Sequence, residues 1–343
     1  MREVKAVLYG VGAVGCLITK FLLEKKGVKI VGAIDVAKDK VGKDLGQVLG
    51  LPKTLGIEVS RDVSSLLRQV KPDIAIHATS SYLRDTYPQI ASLVQSGVNV
   101  VSTCEELSYP YITEPELAED LNKLAKKHDV TVLGTGINPG FLMDTLVIVL
   151  TAPCQKIDKI EAIRVMNAAT RRLPFQKKIG AGMTVEEFKR KLKSKQITGH
   201  VGLEQSIAMI ADALAWKLDR IEVEPVQPVK AVKAVESKDI TVKPGNVAGL
   251  RQKAKGIFNG RDAIVLDFRA YIGAEEECDV ITISGIPSIA QKIKPCIHGD
   301  MGTVAMVANA IPRVIAAPAG LVTMRGLPIP SATPENLTEY ITT

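Results

Sequence analysis

The sequence is poor in aromatic residues and in histidine. Phe, Trp and Tyr together make up 4% of the 343 residues, and there are 4 histidines. Such a chain has few side chains on which nucleic-acid bases could stack. Its net charge of +7 is spread along the sequence without a basic tail. We therefore expect a solvated surface that favours small anionic molecules, and no nucleic-acid partner.

Patterns typical of disulfides, metal sites and hydrolases are also missing. The 5 cysteines show no C-x-x-C spacing, and neither H-E-x-x-H nor G-x-S-x-G occurs. We expect reduced, mostly buried thiols, no metal and a cytoplasmic location. The apolar run over residues 141–149 is too short to cross a bilayer, and a strand pattern begins almost at once, without a signal peptide. No membrane partner is expected.

The segment that organises the chain lies close to its N-terminus. Residues 7–15 read VLYGVGAVG, which is an apolar strand followed by the spacing G-x-G-x-x-G and then by helical periodicity. These glycines permit a tight turn, close approach of the backbone to a pyrophosphate, and close packing of helix on strand. A second predicted strand ends in an acid about 20 residues later, where a carboxylate accepts hydrogen bonds from an adenine ribose. A nucleotide-free turn is the alternative. The cofactor-binding residues predicted here are Gly10, Val11, Gly12, Ala13, Val14, Gly15, Asp35 and Lys38.

Strands and helices alternate through the first 140 residues, which predicts a parallel, doubly wound sheet. From about Asp144 the pattern changes, and residues 221–236 and 263–285 alternate with a period near two, as in the strands of an open mixed sheet. We therefore predict an α/β protein with a Rossmann domain and a second, α+β domain. The predicted bounds are 1–140 for the dinucleotide-binding domain, 141–298 for the substrate and dimerisation domain, and 299–343 for a C-terminal helix and tail that pack back on the first domain.

Polar residues follow three of the strands predicted for the first domain. Because ligands of doubly wound sheets bind beyond the carboxyl ends of the strands, these residues are candidate cofactor contacts. Pro139 holds the residue before it extended, and the glycines around this pair permit close approach to a flat ring. A hinge without ligand contact is the alternative for that loop. The predicted contacts are Ala78, Thr79, Ser80, Thr103 and Asn138.

Two adjacent carboxylates, Glu105 and Glu106, follow the strand that ends near Ser102. A carboxylate at this place is suited to general acid–base catalysis or to holding a cationic amine. Alternatively, both glutamates open a helix and interact favourably with its dipole. If one of them is catalytic, we expect the other to remain solvated.

Residues 171–182, RRLPFQKKIGAG, combine four cations with a Gly-x-Gly turn. The planar fork of arginine suits a substrate carboxylate, although a solvated basic loop would look the same. His200 lies between two glycines just before a predicted helix. It is a candidate for facing the substrate, with a structural role as the alternative.

Together these segments resemble the dihydrodipicolinate-reductase-like dehydrogenases and, within them, the 2,4-diaminopentanoate dehydrogenase and native amine dehydrogenase group. The resemblance runs nearly from end to end, and CEELSYP, GINPGF and QKKIGAG are its more specific motifs. It rests on VLYGVGAVG at 7–15, IHATSSY at 76–82, VVSTCEELSYP at 100–110, GTGINPGFLMD at 134–144, QKKIGAG at 176–182, GHVGLEQS at 199–206 and HGDMGTVAMVANAIP at 298–312.

The resemblance implies NAD(P)-dependent oxidative deamination of a small amine or amino acid, with 2,4-diaminopentanoate the first candidate, and release of ammonia. The reaction is reversible, as reductive amination of a ketone. The family's catalytic glutamate lies in the segment that matches Glu105 and Glu106, and we favour Glu105. The predicted substrate-binding residues are Asn138, Pro139, Arg171, Arg172, Gln176, Lys177, His200 and Thr303.

Several alternatives stay open at this point. Asp35 favours NAD, but Lys38 and Lys40 follow it and would tolerate the 2′-phosphate of NADP, so either cofactor is compatible with the sequence. The chain resembles amine dehydrogenases that act on simple ketones and aldehydes as well, and a non-catalytic NAD(P)-binding protein is a third hypothesis. Dihydrodipicolinate reductase itself is disfavoured by the lack of paired histidines. The open sheet would expose apolar strand faces, which predicts a homodimer.

Overall fold

The computed structural model describes residues 2–341. They form two compact units: unit 1 takes the residues up to Phe141 and those from Gly299 onward, and unit 2 takes Leu142–His298. The first part of unit 1 contains β1 (Val4–Tyr9), α1 (Ala13–Leu23), β2 (Val28–Ile34), α2 (Leu45–Val48), β3 (Val59–Ser60), α3 (Val63–Val70), β4 (Ile74–His77), α4 (Leu83–Gln95), β5 (Asn99–Ser102), α5 (Pro115–Lys127) and β6 (Thr131–Gly134). Unit 2 contains α6 (Thr145–Thr151), β7 (Lys156–Asn167), α7 (Leu173–Lys178), α8 (Val185–Lys193), α9 (Leu203–Ala213), β8 (Arg220–Val223), β9 (Gln227–Lys230), β10 (Val235–Glu236), β11 (Thr241–Val242), β12 (Val247–Phe258), β13 (Arg261–Tyr271), β14 (Cys278–Ile286) and β15 (Ile289–Ile293). The chain returns to unit 1 with α10 (Gly299–Ala316) and β16 (Gly320–Val322).

Unit 1 is built on a seven-stranded sheet in the order β16-β6-β5-β4-β1-β2-β3. Every neighbouring pair in it is parallel. The strand order reverses between β1 and β4, and ligands of such sheets bind beyond the carboxyl ends of the strands at this switch point. The doubly wound parallel sheet predicted from the sequence is confirmed.

Helices cover both faces of this sheet, which explains why its strands are mostly apolar. Helices α1 and α10 pack against each other, and α10 also contacts β4, β5 and β6. On the other face, α4 and α5 pack on β5 and β6, with α3 on β2. The core there includes Val7, Ala75, Val100 and Val132 from the strands, all of them fully buried.

Unit 2 contains a mixed sheet in the order β15-β14-β7-β13-β12-β8, with β9 also paired to β12. Strands β7 and β13 run parallel, and the other pairs are antiparallel. Helix α9 packs against β8, β12 and β13 and so covers one face. The alternate residues of β7, β13 and β14 form an apolar cluster, with Val165 and Cys278 buried and Ile163, Tyr271 and Val280 half-buried. The mixed sheet is the second part of the predicted fold class and is confirmed.

The strands of unit 2 differ in detail from the sequence prediction. Residues 221–236 form three short strands instead of one long one, because Pro225 cannot continue the ladder between β8 and β9. Residues 263–285 form β13 and β14, separated by a turn in which Gly273 has a φ of 84°. Strand β12 has no counterpart among the strands predicted from the sequence, since Arg251, Lys253 and Lys255 alternate with small or polar residues.

Candidate active site

The three glycines after β1 differ in what surrounds them. Gly10 has a φ of 96°, and a methyl group there would lie under 3.0 Å from the carbonyl oxygen of Ala78. A methyl group at Gly15 would also lie under 3.0 Å from a carbonyl oxygen, that of Gly10. One at Gly12 would meet no atom within 4 Å. The first and third glycines are therefore required by packing. The second faces open space of the kind that a bound pyrophosphate needs.

Helix α1 begins immediately after this loop, with Gly12 as its N-cap. In the described part of the chain no side chain caps it, and the first intrahelical bond runs from Cys16 N–H to the Gly12 carbonyl at 2.8 Å. Ala13 is exposed and Val14 half-buried in the first turn. The uncapped N–H groups and the positive end of the helix dipole make this turn suitable for phosphate.

Asp35 follows β2 and ties the glycine loop to that strand. Its Oδ2 accepts the N–H of Val11 at 2.8 Å and lies 3.2 Å from Nζ of Lys40, and its Oδ1 accepts the N–H of Ala37 at 2.9 Å. Burial opposes ionisation, but these backbone hydrogen bonds and Lys40 outweigh it and hold the pKa of Asp35 below its usual value. The carboxylate is charged and already paired with a cation.

Lys40, not Lys38, is the lysine that contacts this carboxylate. The N–H of Lys40 bonds back to the Ala37 carbonyl at 3.0 Å, and this turn directs its side chain toward Asp35, while Lys38 is exposed. Arg61, which no sequence pattern singles out, donates from Nη2 to the Val36 carbonyl at 3.1 Å. Two cations therefore lie beside the acid that would meet the adenine ribose.

The residues after β4 lie against the glycine loop. The N–H of Ala78 donates to the carbonyl of Tyr9 at 2.8 Å, at the end of β1. The exposed Thr79 donates its hydroxyl to Oε1 of Gln89 at 2.7 Å, and Ser80 donates to Asp85 at 3.2 Å. Ala78 and Thr79 therefore adjoin the loop predicted to bind the dinucleotide.

The segment after β5 carries the two candidate glutamates, both half-buried. Oε2 of Glu106 accepts the N–H of Leu83 at 2.7 Å, which is the first residue of α4. Glu105 begins a short 3₁₀ turn, and its carbonyl accepts the hydroxyl of Ser108 at 2.7 Å. Burial, followed by the charges of Glu106 and Glu105, raises the pKa of Tyr82, so both carboxylates lie near that phenol.

Thr103 and Cys104 connect this segment to the sheet. The N–H of Thr103 donates to the carbonyl of His77 at 2.9 Å. The buried thiol of Cys104 lies 3.3 Å from the carbonyl of Ser81, and burial raises its pKa to about 12. This cysteine is a structural thiol and not a nucleophile.

The loop after β6 is folded tightly on itself. Its Asn138–Pro139 peptide bond is cis, and Gly140 has a φ of 122°. Asn138 is half-buried and Pro139 is buried. The N–H of Ile137 donates to the hydroxyl of Thr303 in α10 at 3.3 Å. Asn138 and Thr303 are predicted from distant parts of the sequence. In the structure, the hydroxyl of Thr303 contacts the loop that carries Asn138.

In unit 2, the structure places Gln176 inside a local hydrogen-bond network. Its amide donates to the carbonyl of Arg171 at 2.7 Å and accepts the hydroxyl of Ser237 at 2.7 Å. The guanidinium of Arg171 lies 4.3 Å from the ring centre of Phe175. Gln176 thus holds the basic segment to the β10–β11 hairpin. Arg172 is the N-cap of α7, and Lys177 is exposed on that helix.

His200 is stacked on Phe268, with ring centres 4.2 Å apart and planes 8° from parallel. The backbone N–H of His200 donates to Oε1 of Gln252 at 2.7 Å. Burial, helped by the positive charges of Lys178 and Arg164, lowers its pKa to about 3. The ring is therefore neutral.

Residues 2–341 contain neither a candidate metal site nor a candidate membrane-spanning helix. No group of three or more His, Cys, Asp or Glu side chains is arranged to hold a metal ion. Among the helices described, none combines the length and the apolar character needed to cross a membrane.

Comparisons with known proteins agree with this architecture. The family model described as "Dihydrodipicolinate reductase, N-terminus" matches residues 4–133, and the one described as "2,4-diaminopentanoate dehydrogenase C-terminal domain" matches residues 141–343. The 2,4-diaminopentanoate dehydrogenase of Acetoanaerobium sticklandii is 35% identical over 97% of this chain and 95% of that protein. The amine dehydrogenase of Streptomyces virginiae is 23% identical over 92% of this chain and 91% of that protein.

A solved structure covers almost the whole chain. The amine dehydrogenase from Mycobacterium smegmatis superimposes with a TM-score of 0.83 at 32% identity, covering 97% of this chain and 98% of that one. Both full-length relatives and this structure are named as dehydrogenases. The chain therefore belongs to the 2,4-diaminopentanoate dehydrogenase family and is an oxidoreductase.

Proposed function

We propose that the chain catalyses the NAD(P)-dependent oxidative deamination of 2,4-diaminopentanoate to 2-amino-4-oxopentanoate and ammonia, and the reverse reductive amination. The observation that carries the proposal is 35% identity to a 2,4-diaminopentanoate dehydrogenase over 97% of the chain. In the direction of deamination, this reaction is a step of amino-acid degradation.

The residues of unit 1 fit a dinucleotide. The open space at Gly12, the uncapped start of α1 and the carboxylate of Asp35 are the features that a pyrophosphate and an adenine ribose require. Ala13 and Val14 would supply N–H groups to the phosphates, and Thr79, Thr103 and Asn138 would contact the rest of the cofactor. When bound, the cofactor would accept the hydride from the carbon that carries the amine.

Glu105 is the proposed catalytic acid–base. Its neighbour Glu106 caps α4, which supports the assignment of the chemistry to Glu105. The carboxylate of Glu105 would stabilise the positively charged iminium formed by oxidation and take a proton from the water that attacks it. It would then return this proton to the amine nitrogen of the carbinolamine. As the carbon–nitrogen bond breaks and ammonia leaves, the carboxylate would take the hydroxyl proton while the carbonyl forms.

The substrate carboxylate would be held by the basic segment of unit 2. Arg172 and Lys177 are the proposed contacts, with Arg171 as a third cation. Gln176 and Thr303 are given supporting roles, because Gln176 bonds the carbonyl of Arg171 and Thr303 accepts the N–H of Ile137. Pro139 follows Asn138 in the same loop.

A second candidate function is the amination of simple ketones or aldehydes that lack a carboxylate. It is favoured by the similarity to the Mycobacterium smegmatis amine dehydrogenase and by the position of Arg171, whose guanidinium packs on Phe175. Replacing Arg172 with Met separates the two. Carboxylate binding predicts a KM for 2,4-diaminopentanoate raised at least about tenfold, with the KM for pentan-2-amine unchanged.

The experiment for the main proposal is an assay of the purified protein with NAD⁺ or NADP⁺ and 2,4-diaminopentanoate. Reduced nicotinamide and ammonia should appear in equal amounts. Pentan-2-amine serves as the carboxylate-free comparison. If 2,4-diaminopentanoate gave neither product and pentan-2-amine were oxidised, the proposed function would be wrong. The second candidate function, the amination of simple ketones or aldehydes, would then be supported.

Either cofactor is proposed to be used. Asp35 is paired with Lys40, so its negative charge repels a 2′-phosphate less than an unpaired carboxylate would. Lys40 and Arg61 would also face such a phosphate. The same carboxylate remains available to the free ribose hydroxyl of NAD, because Oδ1 accepts one hydrogen bond, from Ala37.

We also propose a cytoplasmic homodimer. The apolar cluster of Ile163, Val165, Tyr271, Cys278 and Val280 lies on the sheet face opposite α9, and a second copy of the chain would cover it. The 5 cysteines are all free thiols, which supports a reducing compartment. Light scattering tests the dimer, and a monomeric mass would contradict it.

A further inference from the structure

A network of polar side chains lies at the carboxyl end of β4, with His77 and Ser102 buried, Gln89 half-buried and Thr79 exposed. His77 has no exposed surface, and its Nδ1 lies 2.8 Å from Oγ of Ser102 at the end of β5. Its Nε2 lies 2.8 Å from Oε1 of Gln89 and 3.1 Å from Oγ1 of Thr79. The hydroxyl of Thr79 also donates to Oε1 of Gln89 at 2.7 Å. Four side chains therefore share one connected set of hydrogen bonds.

The partners determine which nitrogen of His77 carries the proton. Oε1 of Gln89 accepts only, so Nε2 must be the protonated nitrogen that donates to it. Nδ1 then accepts the hydroxyl proton of Ser102, and Oγ of Ser102 still accepts the N–H of Cys104 at 3.1 Å. A neutral ring satisfies every group in the network. Burial favours the same state, since it lowers the pKa of His77 to about 4.

The two ends of this network reach the two halves of the candidate site in unit 1. At one end, the side-chain methyl of Thr79 lies 2.8 Å from the position that a Cβ on Gly10 would take, so Thr79 packs directly against the glycine loop. At the other end, Ser102 accepts from Cys104, the residue immediately before Glu105. The carbonyl of His77 adds a second link, from the N–H of Thr103 at 2.9 Å.

We propose that His77 is a positioning residue of the dehydrogenase: its neutral imidazole fixes the glycine loop, through Thr79, and the Glu105 segment, through Ser102, relative to each other. The proposal rests on the proposed function, because it assigns the two ends to cofactor binding and to acid–base chemistry. His77 itself is buried and touches neither substrate nor cofactor. It acts through the groups that it holds.

The two nitrogens can be replaced separately. The side-chain amide nitrogen of glutamine reaches about as far as Nε2 of histidine, so His77→Gln keeps a donor for Gln89 and Thr79 but loses the acceptor for Ser102. The amide oxygen of asparagine reaches about as far as Nδ1, so His77→Asn keeps the acceptor for Ser102 and loses the donor. His77→Phe keeps the ring volume and loses both.

Thr131→Val provides a matched control. Thr131 is buried in the same sheet, but it lies at the amino end of β6, and its hydroxyl donates to the carbonyls of Ala317 and Pro318 at 3.2 and 3.0 Å. Its loss should lower the melting temperature without changing the carboxyl edge of the sheet. It therefore reports what the loss of buried hydrogen bonds does to stability alone.

The experiment measures three quantities for each variant: the Kd for NADH by fluorescence titration without amine, kcat with 2,4-diaminopentanoate, and the melting temperature. Loss of one buried hydrogen bond corresponds to about a tenfold change in an equilibrium or rate constant. We expect His77→Phe to raise Kd and to lower kcat, each about tenfold. His77→Gln should restore Kd but not kcat, and His77→Asn should restore kcat but not Kd.

Changes of less than about twofold in both Kd and kcat for all three His77 variants, with melting temperatures lowered as in Thr131→Val, would show a purely structural histidine and overturn the proposal. If His77→Gln and His77→Asn weakened NADH binding and lowered kcat to the same extent, the separate roles proposed for the two nitrogens would be wrong. Wild-type protein that binds NADH but oxidises no amine would refute the proposed function, and the Kd comparison would still decide the Thr79 half. Protein that binds no dinucleotide would overturn both.

Discussion

The carboxylate of Glu106 accepts the backbone N–H of Leu83 at 2.7 Å, and Leu83 is the first residue of α4. This contact joins the segment after β5 to the start of the helix that follows β4. The first N–H groups of a helix have no intrahelical partner, so a carboxylate placed there stabilises the helix start. The side chain of Glu106 therefore has a structural role at the start of α4.

The first prediction follows from this contact. Glu105→Gln should lower kcat by about 10²–10⁴-fold, the usual contribution of a general acid–base. Glu106→Gln keeps an oxygen for Leu83 and should change kcat less than about threefold. Glu106→Ala should lower the free energy of unfolding by about 1 kcal/mol through loss of the cap. Steady-state kinetics and urea unfolding test these expectations, and a larger loss of kcat in Glu106→Gln than in Glu105→Gln would reverse the assignment.

The second prediction compares two glycines of the same loop. Gly12 has a φ of −80° and open space around its Cβ position, so Gly12→Ala should fold normally and weaken NADH binding at least about tenfold. Gly15→Ala would press a methyl group into the carbonyl of Gly10 and should destabilise the protein by about 3 kcal/mol. Fluorescence titration and thermal unfolding separate the two effects. Normal NADH binding by Gly12→Ala would argue against a pyrophosphate at this place.

The third prediction concerns the choice of cofactor. Lys40→Met removes the cation that pairs with Asp35, so the Kd for NADPH should rise about tenfold while that for NADH rises less than about threefold. Lys38→Met is the matched control, because Lys38 is exposed and should affect neither Kd. Both constants are measured by quenching or enhancement of nicotinamide fluorescence. Equal weakening of the two cofactors would place the 2′-phosphate away from Lys40.

The fourth prediction is a loss of stability in acid. The pKa of His77 is about 4 in the folded protein, against 6.5 for an unperturbed histidine, so the unfolded chain binds the proton more tightly. The stabilising contribution is complete above about pH 6.5 and is lost as the pH falls toward 4. Between pH 7.5 and pH 5 the loss is about 2 kcal/mol for this one group.

His77→Gln removes the titrating group, so the difference in free energy of unfolding between these two pH values should shrink by about 2 kcal/mol. His200, whose pKa is about 3 for similar reasons, adds a comparable contribution that the variant retains. Urea unfolding at both pH values measures the change. An unchanged difference in the variant would mean that His77 is not buried in its neutral form.

The fold of unit 1 could be predicted because its signals are local. Each short apolar strand is followed by a helix, and right-handed parallel crossovers allow few arrangements of such units. Strand β16 is different. It has three residues, Gly320–Val322, and pairs with β6 only because α10 brings the chain back beside that edge. No local pattern marks such a strand, and the sequence prediction described this region only as a helix and tail.

In unit 2, by contrast, one strand could not be predicted from its own sequence. Strand β12 pairs with β13 from Gly249 to Phe258, yet its outward residues Arg251, Lys253 and Lys255 resemble a solvated surface. Carboxylates of β13 are the partners of two of them: Arg251 bonds both oxygens of Asp267, at 2.6 and 2.9 Å, and Nζ of Lys255 lies 2.9 Å from Asp262. This pairing lies across two strands, so it is not visible in either strand alone.

Site residues whose roles depend on the neighbouring backbone could be predicted from the sequence. Those whose roles depend on contacts with distant residues could not. The roles of Gly10, Gly12 and Gly15 follow from backbone sterics and can be derived from spacing. The distinction between Lys38 and Lys40 depends on one turn at Ala37, and the use of Gln176 depends on Ser237, which lies 61 residues away. Contacts of this kind require coordinates.

The division of unit 1 into two separate stretches of chain determines when it can be completed during synthesis. Unit 2 is one continuous stretch, Leu142–His298, and can fold as soon as it has left the ribosome. Unit 1 needs α10 to cover α1 and the strands β4–β6, and it needs β16 to complete its sheet. Unit 1, whose first stretch is synthesised before unit 2, therefore cannot be completed until unit 2 has been synthesised. Until Gly299 and the residues after it are made, the apolar surface beneath α10 has no cover of its own.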